Sequence, residues 1–260
     1  MKSELHKKQS IEDDMMNALL DGQFVMYLQP KFSISTKRII GAEALARWIH
    51  PEKGMISPAD FVPVFEENGF ILKLDQKIWE SACRKIREWI DKGIEPVPIS
   101  VNISREYIHT FDVVGEMLHL VNKYDIPIKL LELEITETTD SEGVSDVVQK
   151  MKDAGFTMLM DDFGSGYSSL NMLQKTQFDV LKIDRGFLSE FMESSRGRKI
   201  ISHTISMSHD IGLDIIAEGV ETPEQASFLS DCGCDSAQGF YYSKPITQEE
   251  FDKMLVEVNK

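Results

Sequence analysis

The chain has 260 residues, 42% of them hydrophobic and 27% charged, and its 28 Lys and Arg against 43 Asp and Glu leave a net charge of −15. This length suits one large barrel or two small domains with a well-buried core. The acidic surplus repels a nucleic-acid polymer and so excludes duplex binding, but a small phosphodiester stays open because bound divalent cations reverse the field inside a negative cleft.

From the N-terminus, residues 1–9 read as a frayed or connecting segment, and 10–260 as the folded domain. The polar start is neither a signal nor a transit peptide, and no apolar run approaches the length of a membrane span. A cytoplasmic protein without membrane contact is expected. Cys83, Cys232 and Cys234 form no CxxC pair and are odd in number, which points to reduced structural thiols. Short apolar runs then predict eight strands, at 24–28, 39–45, 97–103, 130–135, 157–161, 180–183, 214–218 and 236–240. The link between the first two is too short for a crossover helix, so they should form an antiparallel hairpin, with the remaining strands parallel. Helices alternate with the strands. In 74–90, Leu74, Ile78, Ala82, Ile86 and Trp89 recur every three or four residues as one buried stripe. Ser57-Pro58-Ala59-Asp60 and Thr222-Pro223-Glu224-Gln225 read as capped helix starts with a reciprocal acceptor. The pattern predicts an α/β fold, a modified TIM-type (β/α)8 barrel with one antiparallel strand; periodicity alone also permits an open doubly wound sheet.

Glu43, Asn102, Glu134, Asp161 and Asp162 stand at or near the ends of four of these strands. Carboxylates and an amide oxygen are hard ligands suited to Mg²⁺ or Mn²⁺, and the adjacent pair Asp161-Asp162 offers a bridge between two ions. Such a set at one end of a barrel suggests two-metal hydrolysis of a phosphate ester. Lys182, Glu218 and Gln238 occupy the same end of the last three strands, polar groups in apolar runs that need partners. Structural ion pairs account for any one of these residues, but poorly for all eight together. The six histidines lie outside these segments with no metal-ligand spacing, and Met158 and Met160 read as core filling. Phe240, Tyr241 and Tyr242 offer either packing or a stacking face for a base.

Gln29-Pro30, the run 41–48 (GAEALARW), 100–104 (SVNIS), 134–137 (EITE), 161–170 (DDFGSGYSSL), 181–184 (LKID), 218–221 (EGVE) and 238–240 (QGF) together resemble the ordered signature of the EAL domain, the bacterial cyclic di-GMP phosphodiesterase family. The resemblance runs from about Gln23 to the C-terminus. It implies a barrel with one antiparallel strand, two Mg²⁺ or Mn²⁺ ions per site with Ca²⁺ inhibitory, and hydrolysis of cyclic di-GMP to linear pGpG. By resemblance Glu43, Asn102, Glu134 and Asp161 hold one metal, while Asp161 and Asp162 serve the second. Glu218 is the general base or metal-water partner, and Lys182 positions the attacking water. Gln29, Arg47, Glu221 and Gln238 lie along the substrate. Glu137 anchors the loop 163–169, which also reads as a helix-entry loop capped by Ser168 or Ser169.

Departures from the family pattern are Ala46, Ser165, and a stretch between Glu137 and Gly155 that is short for the outer helix expected there. None removes a ligand. A homodimer and an upstream GGDEF or sensory domain are the expected partners. The alternative function is a catalytically silent cyclic di-GMP receptor that signals to another protein; retention of every ligand and of the Lys182–Glu218 pair favours the enzyme.

Overall fold

A computed structural model describes residues 2–107, 112–136, 143–165 and 169–260. Among the described residues nine strands form one sheet: β1 (Phe24–Ser33), β2 (Ile39–His50), β3 (Gly54–Ile56), β4 (Ile99–Asn102), β5 (Leu131–Thr136), β6 (Thr157–Phe163), β7 (Val180–Ile183), β8 (Asp214–Ala217) and β9 (Ser236–Ala237). The order β1-β2-β4-β5-β6-β7-β8-β9 closes back onto β1, while β3 pairs only with the outer end of β2. The open-sheet alternative is thereby set aside. β1 is antiparallel to both neighbours and the other barrel pairs are parallel.

The predicted hairpin exists but is longer than the apolar pattern showed. β1 continues past Leu28 through Gln29, Pro30 and Lys31, with Lys31 opposite Gly41. Polar residues ended the predicted strand early because a barrel interior that carries chemistry breaks the apolar run. β3 escaped prediction because three residues hold too little pattern. Residues 1–9 were expected to be frayed or connecting; from Lys2 onward they belong to α1 (Lys2–Leu20), tied to the body by Lys7–Asp60 and Lys8–Glu67 ion pairs.

Outside the barrel run α2 (Pro58–Asn68), α3 (Ile71–Asp91), α4 (Val113–Lys123), α5 (Val144–Ala154), α6 (Ser169–Lys175), α7 (Arg185–Met192), α8 (Ser195–Asp210), α9 (Pro223–Asp231) and α10 (Gln248–Val258). The short stretch before Gly155 thus does form a helix, α5, which buries Val144, Val148 and Met151. On α3 the whole predicted stripe is buried, and Trp79 and Trp89 are among the largest fully buried side chains. Phe24, Trp48, Phe61, Phe65 and Phe70 pack ring against ring where α2 meets the β1–β2 hairpin. Thr222 makes the predicted capping box with Gln225, whereas Ser57 makes no side-chain cap; at that helix start proline and the Asp60 carboxylate remain.

Inside the barrel the strands alternate, so residues two apart share the interior. Leu159, Val180 and Ile216 make a small dry cluster, and two residues further along each strand stand Asp161, Lys182 and Glu218. Beneath these three residues the interior is apolar, while on the β1 and β5 side Lys31 and Glu132 carry charge one layer below Glu43 and Glu134.

Candidate active site

The mouth is organised around Lys182, which is fully buried. Its Nζ lies 2.6 Å from Glu134 Oε2, 2.8 Å from Asp161 Oδ1, 2.8 Å from Glu218 Oε1 and 3.6 Å from Glu43 Oε2. Strands β2, β5, β6 and β7 and the residue after β8 therefore deliver their side chains to one point. Gln238 closes the ring, its amide nitrogen donating to Glu43 Oε2 at 2.6 Å and Glu218 Oε1 at 2.8 Å. Asn102 is opposite Glu134 in the β4–β5 register. Its carbonyl accepts from the Trp79 indole N–H at 2.8 Å. Beside the charged ring a cavity of about 380 Å³ is lined by Arg47, Glu66, Asp75, Asn102, Asp161 and Asp162 among others.

Adjacent residues of a regular strand face opposite ways, so Asp161 and Asp162 should not both reach the mouth. The β6–β7 register shifts between Met160 and Phe163, and Asp162 adopts a left-handed backbone with φ 58°. This bulge re-aims Asp162. As a result Asp161, Asp162 and Glu218 present carboxylate oxygens within 4.8 Å of one another.

The remaining expected residues are placed as follows. Gln29 faces Glu43 across the hairpin and its amide donates to the Ser243 carbonyl at 3.4 Å. Arg47 donates to the Ala46 carbonyl at 2.8 Å with its guanidinium over the Tyr27 ring. Glu221 pairs with Arg185 at 2.9 Å on the rim. Gln238 is buried within the carboxylate ring itself. Glu137 lies outside the described residues, as do Gly166, Tyr167 and Ser168 of the loop it was expected to anchor. Phe240 and Tyr241 are exposed, while Tyr242 stacks on Phe32.

The family model described as EAL domain matches residues 12–245. The chain belongs to the EAL domain family. It is 34% identical over 246 residues to the signaling protein YkoW of Bacillus subtilis, covering 94% of this chain and 31% of that protein. It is 35% identical over 240 residues to MucR of Pseudomonas aeruginosa, named a bifunctional diguanylate cyclase/cyclic di-GMP phosphodiesterase, covering 91% of this chain and 35% of that one. A solved structure of PaMucR phosphodiesterase, a c-di-GMP complex, superposes with a TM-score of 0.87 at 35% identity over 93% of this chain and 99% of the other. The chain spans about a third of the length of these curated relatives.

In this EAL domain the electrostatics of the mouth are strongly coupled. Burial pushes Glu43 and Glu218 up against the pull of Lys182, and burial with the neighbouring Asp161 charge takes Asp162 up to about 6. Burial also opposes the charge on Glu134, but Lys182 and Lys31 together outweigh it and hold this carboxyl at about 2. Lys182 itself is driven upward despite burial, by Asp161, Glu134, Glu218 and Glu43. Negative charge therefore exceeds what the buried ammonium balances, and the donors are hard oxygens. Both properties fit a divalent cation, and Asp161, Asp162 and Glu218 lie close enough to hold one. Among the described residues no helix is long and apolar enough to cross a membrane.

Two participants were not read from the sequence. Lys31 is 2% exposed and reaches Glu132 at 3.1 Å and Glu134 at 3.3 Å. A lysine following Gln29-Pro30 between apolar residues carried the same signal as Lys182, but the predicted strand had already ended. Asp75, buried on α3, accepts from both the backbone N–H and the hydroxyl of Ser104, just beyond Asn102. Its helix read as a plain apolar stripe.

Proposed function

We propose that this EAL domain hydrolyses one phosphodiester bond of cyclic di-GMP to give linear pGpG, using two Mg²⁺ or Mn²⁺ ions and inhibited by Ca²⁺. The observation that carries the reading is the convergence of Glu43, Glu134, Asp161 and Glu218 on Lys182 at the carboxyl-terminal mouth, the end where barrels of this kind gather their active sites. Named phosphodiesterase relatives and the c-di-GMP complex of PaMucR support the substrate.

Glu43, Asn102, Glu134 and Asp161 would hold one ion, and Asp161 with Asp162 the second. Bound ions supply positive charge to a phosphate ester that otherwise repels hydroxide, and lower the pKa of a coordinated water. Glu218 takes the proton of the attacking water; its raised affinity for protons, a result of burial, suits it better than an ordinary carboxylate. Lys182 keeps its proton, so it acts as a hydrogen-bond donor that orients this water and holds Glu218 in place. Gln238 fixes Glu43 and Glu218 at one spacing and lies against the substrate path. Arg47 has N–H donors beyond the one used on Ala46, and these suit a phosphate oxygen. Gln29 and Glu221 flank the substrate. Residues 10–260 make up the catalytic domain, acting as a homodimer in the cytoplasm alongside a GGDEF or sensory domain.

The test is chromatography of cyclic di-GMP reactions in Mg²⁺, Mn²⁺ and Ca²⁺. Formation of pGpG in the first two, its suppression by Ca²⁺, and its loss in Glu43→Ala and Asp161→Ala variants that still melt cooperatively are expected. Tight cyclic di-GMP binding with no product under any ion would establish the receptor function and overturn the enzyme.

A further inference from the structure

We propose that Phe187 is a positioning residue for the second metal ion: its ring seats the turn that aims Asp162, an inference that rests on the reading of Asp161 with Asp162 as the ligands of that ion. The two carboxylates are held by different means. Asp161 stands in the regular β5–β6 ladder opposite Thr136, and Lys182 holds its Oδ1 at 2.8 Å. Asp162 falls where the β6–β7 ladder shifts register, in a left-handed backbone with φ 58°. A turn closes directly behind it. The Ser165 N–H donates to the Asp162 carbonyl at 3.1 Å, the Asp184 N–H donates to the Phe163 carbonyl at 3.2 Å, and Gly164 has φ 96°.

The Phe187 ring occupies the space over Gly164. A Cβ on Gly164 would lie 2.4 Å from Phe187 Cδ2, 2.8 Å from its Cγ and 3.1 Å from its Cβ, and these would be its three nearest atoms. The ring is itself fixed. Asp184 caps α7, its carboxylate accepting from the Gly186 and Phe187 N–H groups at 2.7 and 3.2 Å. Phe191, one turn on, stacks on Phe187 with ring centres 4.4 Å apart, and Phe163 meets the same ring edge-on at 6.1 Å. Asp184 thus binds the bulge through its backbone N–H and places Phe187 through its side chain, which couples the start of α7 to the turn.

An uncharged ring packed on a glycine restrains position and leaves the charge of the site alone. It opposes relaxation of the turn toward regular strand, in which Asp162 would face away from Asp161. Loss of the ring therefore frees Asp162, while the ladder and Lys182 still hold Asp161. The ion that needs both carboxylates loses a ligand; the ion held by Glu43, Asn102, Glu134 and Asp161 keeps its set. Phe187 is half-buried on the wall of a surface groove, so trimming it opens no void in the barrel core.

The experiment titrates Mn²⁺ into the substrate-free protein and follows free and spin-coupled bound Mn²⁺ by electron paramagnetic resonance, for the parent, Asp162→Ala, Phe187→Ala and Phe187→Leu. The parent should bind two ions and Asp162→Ala one. Both Phe187 variants should bind the first ion as the parent does and the second about tenfold more weakly, the scale typical of groups that orient metal ligands. Their turnover of cyclic di-GMP should regain the parent's plateau at higher Mn²⁺, which general damage to the fold would prevent. Second-ion affinity equal to the parent's in the Phe187 variants, or equal weakening of both ions, overturns the role of Phe187 while leaving the metal site intact. A parent that binds one ion, or Asp162→Ala that still binds two, overturns the reading of Asp162 as a ligand of a second ion, and the inference with it. If Phe187→Ala does not fold, Phe187→Leu decides alone.

Discussion

At the scale of single residues, burial decides which groups can do chemistry. Lys182 and Glu218 touch each other at 2.8 Å, whereas Gln29 donates to the Ser243 carbonyl and Arg47 to the Ala46 carbonyl. If the first pair acts on the attacking water, Lys182→Ala and Glu218→Gln should lower kcat by at least about a hundredfold while affinity for cyclic di-GMP stays within about tenfold. If Gln29 and Arg47 contact substrate in the ground state as well, Gln29→Ala and Arg47→Ala should chiefly weaken affinity. Calorimetry paired with single-turnover cleavage separates the two; lost binding with intact cleavage in the first pair would falsify this division of roles. Asp75 supplies a pH test. Burial raises its carboxyl to about 7 against an ordinary value of 3.8. An acid raised on folding favours the folded state when protonated, so the stability it contributes is present below its unfolded value and declines as pH rises toward 7. Asp75→Asn cannot ionise, and it should gain on the parent by about 2 to 3 kcal/mol between about pH 5 and about pH 8. Urea unfolding at the two pH values measures that gain; parallel pH curves for the two proteins would show that Asp75 is not the source.

At the scale of elements, helix starts and strand ends hold the side chains in register. Two helix starts with similar sequences behave differently: Thr222 accepts from the Gln225 N–H in a complete capping box, while the Ser57 hydroxyl makes no cap. Thr222→Ala should therefore cost about 1 kcal/mol. Ser57→Ala should stay within about 0.5 kcal/mol of the parent. Equal losses in thermal melts would contradict the difference in geometry. α3 does more than cover the barrel. Asp75 and Trp79, one turn apart, hold the backbone at Ser104 and Asn102, so the helix that packs the core also fixes the end of β4. Its apolar stripe was legible in the sequence because burial follows the 3.6-residue period. The two polar anchors were not, since their partners lie 29 and 23 positions away.

At the scale of the whole molecule, closure of the barrel brings β9 beside β1 and gives Lys182 its partners from strands far apart in the chain. The turn after β9 is critical: Gly239 has φ 151°, and a Cβ there would lie 2.3 Å from both the N and the O of Val220. Those are backbone atoms with no room to move, so Gly239→Ala should destabilise the fold by roughly 3 kcal/mol and displace Gln238 from Glu43 and Glu218. A variant with unchanged melting and unchanged turnover would show that the turn adapts. The sequence by itself determined the alternation of strands and helices, the antiparallel hairpin and the family signature, because burial periodicity, link length and ordered motifs are local properties. It also placed hard-oxygen residues at strand ends. Only the tertiary structure decided that the sheet closes, that a bulge turns Asp162 to the same side as Asp161, that Lys31 joins the charged ring, and that Gln238 bonds Glu43 and Glu218 within it. Those outcomes depend on contacts between residues up to about two hundred positions apart, such as Gln238 with Glu43, and pairings over such distances leave no periodic trace in a single chain.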